Sequence, residues 1–148
     1  MESDDITATV NKWSSKVVTG IDYDDIKDEF LNGNITEARA IDMLVRYGGK
    51  TKSAAKADVQ YWAFKDAYPN THVEDSWFDT YYNKIADSGI RINVYMEYRN
   101  KVSTITGEDK KERRMDVIHS LPITSAQKDA LYYAEGWAAS KIHEAPWH

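Results

Sequence analysis

The stretch Ile35-Thr36-Glu37-Ala38-Arg39-Ala40-Ile41-Asp42-Met43-Leu44-Val45-Arg46-Tyr47-Gly48-Gly49 decides the fold class. Ile41, Leu44, Val45 and Gly48 stand at i, i+3, i+4 and i+7, a spacing that gathers them on one face of a helix. Thr36 or Asn34 offers an oxygen to the unpaired amides at the start, and Gly48 stands where a glycine closes a helix. The stretch therefore predicts a helix over 36–47. The same pattern recurs to either side. Tyr23, Ile26, Phe30 and Leu31 form one stripe, Phe78, Tyr81, Tyr82 and Ile85 another, and Tyr95, Tyr98, Val102 and Ile105 come close to a third. Gly33, Gly89, Gly107 and Gly136 each follow a periodic segment, while Asp22, Thr51, Asp109 and Thr124 each precede one. Thr124 with Gln127 makes a capping box, and Asp109 with Glu112 a weaker form of it. Sustained period-two alternation is absent, and Pro69, Pro122 and Pro146 fall in the gaps.

These signals predict helices over 5–18, 23–32, 36–47, 52–67, 74–87, 91–105, 109–119 and 125–135, with a short turn near 137–143. Connections this short predict an all-α fold, a compact bundle of about eight short helices. The chain reads as one domain over 1–148, with 1–20 as a peripheral N-terminal helix. Leu44, Val59, Trp62, Phe78, Tyr81, Tyr95, Ile118 and Leu131 are the expected core. A weak internal repeat runs through the pattern. Ile35, Thr36, Ala38 and Gly48 are matched by Ile123, Thr124, Ala126 and Gly136, at one constant offset. Two copies of a helix–turn–helix unit would produce this, and so would convergence on good capping chemistry.

Composition excludes whole classes of function. The 148 residues include no cysteine, which rules out disulfides, a thiol nucleophile and thiolate metal sites. No apolar run approaches the ~18–20 residues that span a bilayer, and the start, Met1-Glu2-Ser3-Asp4-Asp5, is acidic where a signal peptide is basic. A cytosolic protein with no membrane partner is the expectation. Residues 1–49 carry ten acids against five bases, whereas residues 50–148 carry fourteen of each, so the net charge of −5 resides in the first third. Direct binding to nucleic acid would call for a basic footprint instead. The one basic cluster, Lys110, Lys111, Arg113 and Arg114, is interleaved with Glu108, Asp109, Glu112 and Asp116, and reads as a solvated helix face.

Gly48-Gly49-Lys50-Thr51 has the form of the end of a phosphate-binding loop. Leu44 stands where that loop needs its first glycine, and a helix precedes it where a strand should, so it reads as a helix stop followed by a cap. His72, His119, His143 and His148 have no ligand spacing; only His143 and His148, in a terminus expected to fray, could share an adventitious metal. No nucleophile elbow is present, so no catalytic residue, cofactor or metal is assigned. The five Trp, ten Tyr and three Phe read as core with hydroxyls reaching the surface, or else as an aromatic binding face. Asp22, Asp24, Asp25, Asp28 and Glu29 form the sharpest local feature. They are either acids favoured at a helix start or a negative ridge that meets a basic protein surface.

Three segments carry a resemblance: ITEARAIDMLVRYGG from Ile35 to Gly49, VQYWAFKDAYP from Val59 to Pro69, and LPITSAQKDALYYAEG from Leu121 to Gly136, followed by Pro146-Trp147. Gly89-Ile90 and Tyr95-x-x-Tyr98 fit the same pattern. Over about residues 25–148 the chain resembles an all-helical module found within large virion-associated proteins of phages and prophages of Gram-positive bacteria. The resemblance implies a helical fold and no catalytic residues. That module is usually embedded in a long chain, so a 148-residue copy is expected to be a free-standing, phage-encoded effector. The expected function is non-enzymatic binding to a host protein with a basic surface, in the manner of an anti-CRISPR inhibitor of a nucleic-acid-binding defence nuclease, in the host cytoplasm. Asp22, Asp24, Asp25, Asp28 and Glu29 are the expected contact residues. The alternative is a structural or ejection-associated virion module.

Overall fold

Every regular element in the computed structural model is helical, and no strand occurs among the residues it describes, 23–148. The predicted helix over 5–18, and Asp22, lie outside the described residues. The chain divides into two compact units, the first ending at Thr71 and the second beginning at His72. The boundary falls in the loop that carries Pro69.

In the first unit, α1 (Tyr23–Leu31), α2 (Glu37–Arg46) and α3 (Lys52–Ala67) each pack on the other two. Their shared core is Ile26, Ile35, Ala40, Met43, Leu44, Ala55, Val59 and Trp62. The face α2 buries is Ala40, Met43 and Leu44, so the stripe lies to one side of the predicted one and leaves Ile41 and Val45 half-buried at its margin. Ala40 and Met43 of α2 and Ala55 of α3 are all fully buried in this core. Thr36 caps α2 by accepting from the Arg39 amide (3.1 Å), and Thr51 caps α3 by accepting from the Ala54 amide (3.2 Å). Between them the left-handed residue is Gly49 (φ 66°), not Gly48. Gly48 still closes on the Leu44 carbonyl (3.1 Å), and a Cβ there would lie 2.7 Å from that oxygen.

In the second unit, α4 (Asp75–Thr80) is followed without a break by one π turn (Tyr81–Ile85) and a 3-10 turn (Ala86–Ser88). The single α-helix predicted over 74–87 thus changes pitch at Tyr81. The wider turn brings residues five apart to one side, and Tyr81, Ile85 and Ala86 are all buried. Then come α5 (Ile92–Val102), α6 (Lys110–Ser120), α7 (Ser125–Ala134) and a 3-10 segment (Ala139–Glu144). Asp109 stands at the start of α6 without a side-chain capping bond, so the predicted Asp109–Glu112 cap does not form. Thr124 and Gln127 do form the capping box, each side chain bonding the other's backbone (3.0 and 3.1 Å). The repeat is visible here: α2 and α7 have the same length and the same placement relative to Thr36 and Thr124, and Leu44 and its counterpart Tyr132 are both fully buried.

The aromatic residues are mainly core. Trp62, Tyr81, Tyr95, Tyr98 and Tyr132 are buried, and Trp77, Phe78 and Tyr82 are half-buried. Phe78 therefore lines the core margin rather than its centre. Tyr81 Oη donates to the Ile90 carbonyl (2.8 Å) and Tyr132 Oη to the Ala138 carbonyl (2.8 Å). These two hydroxyls find carbonyl partners, which avoids leaving buried donors unpaired, while Tyr68 and Tyr133 are exposed.

Candidate functional site

The geometry of α1 follows from what its inner side touches. Ile26 is fully buried, and Tyr23, Phe30 and Leu31 pack on the core around Trp62. Tyr23 meets Trp62 edge to face (5.0 Å, 77°), and its hydroxyl accepts from Trp62 Nε1 (3.1 Å). Lys50 Nζ pairs with the buried Asp58 (2.6 Å) and lies 5.0 Å from the Tyr23 ring. Burial, with the Asp58 carboxylate nearby, pushes the Tyr23 phenol up to about 12. α1 is thus set in rotation by the buried Ile26, by the Tyr23–Trp62 pair and by the Lys50 cation over the Tyr23 ring.

At about 100° per residue, Asp24 and Asp28 lie about 160° from Ile26 on either side, while Asp25 and Glu29 lie about 100° and 60° from it. Accordingly Asp24 and Asp28 are exposed, and Asp25 and Glu29 are half-buried. Glu29 is engaged locally, accepting from Asn34 Nδ2 (3.0 Å). The structure therefore narrows the exposed part of the predicted ridge to Asp24 and Asp28, one turn apart. Asp22 lies outside the described residues. Asp75 and Asp79 of α4 repeat that spacing and are also exposed.

The second unit holds a cluster that no sequence motif announced. Glu135, whose side chain is 9% exposed, accepts from Tyr98 Oη (2.5 Å) and from Arg114 Nη1 (2.7 Å), and lies 3.8 Å from Arg99 Nη1. The Arg99 guanidinium in turn lies 5.6 Å from the Trp77 ring centre. Burial, then the Glu135 charge and hydrogen bond, raise the Tyr98 phenol well above its usual range. The Nε atoms of Arg99 and Arg114 are buried without a hydrogen-bond partner. Beside this cluster a cleft of about 380 Å³ is lined by Glu108, Lys110, Lys111, Arg114, Glu135 and Trp137. Gly136 (φ 80°) reverses the chain after α7 and sets Trp137 there.

Of the four basic residues read from sequence as a plain solvated face, Lys110, Lys111 and Arg114 thus line a cleft, and Arg113 does not. Arg99, Arg114 and Glu135 stand far apart in the chain, on three elements, so spacing could not reveal them. One signal was present: an acid ends α7 and cations begin α6, each opposed to its helix dipole.

Gly48-Gly49-Lys50-Thr51 follows α2 and caps α3, with Lys50 occupied by Asp58. Two of the histidines stand beside acids. His72 approaches Glu74 (3.0 Å), and His148 approaches Asp129 (2.7 Å), which also accepts from Trp147 Nε1 (2.8 Å). Ala145 is buried, and Trp147 and His148 both reach Asp129 of α7. Among the described residues no three His, Cys, Asp or Glu side chains converge as a metal site would require, and no helix is long and apolar enough to cross a membrane. Comparison with family models, with curated proteins and with solved structures finds no match to this chain.

Proposed function

We propose that the protein is a non-enzymatic binding protein whose helix α1 covers a basic surface on a partner protein. One observation carries the reading: α1 is set in rotation by Ile26, by the Tyr23–Trp62 pair and by Lys50 over the Tyr23 ring, so that Asp24 and Asp28 face outward together. A pre-set pair of like charges loses little entropy on binding and steers an oppositely charged partner toward it. The resemblance to phage virion-associated modules makes a host nuclease that normally grips nucleic acid the favoured partner, with the acids taking the place of phosphates. Inhibition in the anti-CRISPR manner is the function that follows.

The test compares proteins captured from a bacterial lysate by the parent and by the double reversal Asp24→Lys/Asp28→Lys. Reversal of Asp75 and Asp79 to Lys serves as a charge-matched control. The expected result is a basic, nucleic-acid-binding protein captured by the parent and by the control but lost from the α1 reversal, and displaced by added DNA or RNA. Identical capture by parent and α1 reversal rejects the reading.

A further inference from the structure

We propose that the cleft between α6 and Trp137 in the second unit is a mononucleotide-binding site, with phosphate held by Lys110, Lys111 and Arg114 and the base lying against the indole. This inference does not rest on the reading of α1.

The cleft has the right parts. Its volume of about 380 Å³ lies within the range of ~300–1,000 Å³ typical of small-ligand sites. Lys110 and Lys111 are exposed, and neither forms an ion pair among the described residues. Arg114 is held differently. Its guanidinium makes one hydrogen bond, from Nη1 to the buried Glu135, and Glu135 is itself held by Tyr98 and Arg99. Such a guanidinium is oriented before a ligand arrives, and its planar donors suit phosphate oxygens. Glu135 adds little repulsion toward an anion, because Arg99 and Arg114 both face it. Glu108 is the remaining carboxylate of the lining, exposed at the rim, and its chemistry suits a ribose hydroxyl.

Trp137 supplies the second half of the recognition. The indole is fixed by an edge-to-face contact with Tyr132 (5.3 Å, 68°), whose hydroxyl is bonded to Ala138. Lys111 Nζ lies over the indole, 5.7 Å from its centre, so a base lying against that face takes the place of the ammonium, which turns to the phosphate.

The chain's own repeat does not carry these residues in its first copy. The repeat places Asp22, Tyr23 and Ile26 in the first unit where the second has Lys110, Lys111 and Arg114. It likewise places Tyr47 and Gly49 where the second has Glu135 and Trp137. A left-handed glycine follows the helix in both units, Gly49 in the first and Gly136 in the second, and only the second carries the cations and the indole.

The experiment is calorimetric titration of the full chain with adenosine monophosphate, with adenosine and with inorganic phosphate, repeated on Lys110→Ala/Lys111→Ala. Adenosine monophosphate is expected to bind the parent with a Kd of about 1 mM or tighter. Adenosine, phosphate and the double variant should each weaken binding by about tenfold or more, and added salt should weaken it further. Both lysines are exposed, so the variant's thermal midpoint should match the parent's; if it does not, Lys110→Ala alone is read in its place. No binding at millimolar nucleotide overturns the proposal. So does unchanged affinity in the variant, or phosphate or adenosine alone binding as well as the nucleotide.

Discussion

Glu135 is the residue on which most depends in the second unit. Its carboxylate faces two guanidinium groups and takes the Tyr98 proton donor, all largely out of water. Removing one partner of a buried ion cluster leaves charge without compensation, which costs about 3–5 kcal/mol. Glu135→Ala is therefore expected to lower unfolding free energy by about that much in urea denaturation. A loss under about 1 kcal/mol would show that the arginines relax into water instead. Trp62 is the matching residue of the first unit, at 5% exposure with its indole N–H bonded to Tyr23. Trp62→Ala should cost about 3–5 kcal/mol. Phe78→Ala should cost clearly less, because that ring is half-buried. Equal losses in the two variants would contradict this ordering.

Among the elements, α7 is defined at both ends by local chemistry. The Thr124–Gln127 box satisfies its first amides, and Gly136 in the left-handed region ends it. Thr124→Ala should cost about 1 kcal/mol, read as a lowered thermal midpoint. Gly136→Ala should cost about 1–2 kcal/mol from backbone strain alone, since nothing lies within 4 Å of the added Cβ. The added Ala methyl meets no atom, so repacking of neighbours could not rescue it. A stable Gly136→Ala protein would mean that Trp137 is not held where the turn puts it. α4 shows the opposite case. Its apolar spacing continues past Tyr81, yet the backbone widens there, because Tyr81, Ile85 and Ala86 must all turn inward.

For the whole molecule, three phenols raised by burial make stability fall at alkaline pH. Tyr23, Tyr95 and Tyr98 are all raised, first by burial, with Asp58 acting on Tyr23 and Glu135 on Tyr98. Their unfolded counterparts ionise near 10. Below that pH both states keep the proton, and the stabilisation is fully present. As pH rises from about 10 toward 12, the unfolded chain loses protons that the folded chain keeps, so stability falls. Thermal midpoints taken from pH 8 to 12 should decline over that interval. Absorbance at 295 nm should show these tyrosines ionising only as the chain unfolds. Tyr98 titrating near 10 in the folded protein, judged against Tyr98→Phe, would refute the buried position.

Among residues 23–148 most of the helices and the three threonine caps were legible, because each depends on residues within a few positions of one another. Thr36, Thr51 and Thr124 meet amides three residues on, and an apolar stripe repeats within two turns. The acidic face of α1 was legible for the same reason, as an angular arrangement on one helix. Which acids of that face stay exposed was not, because Tyr23 and Trp62, 39 positions apart, set the helix's rotation. The π turn at Tyr81 and the shift of the α2 stripe toward Met43 likewise answer to packing partners on other elements. The Tyr98–Arg99–Arg114–Glu135 cluster and its cleft are tertiary throughout. Charges on separate elements become partners only when folding removes the water between them, and no local pattern encodes that removal.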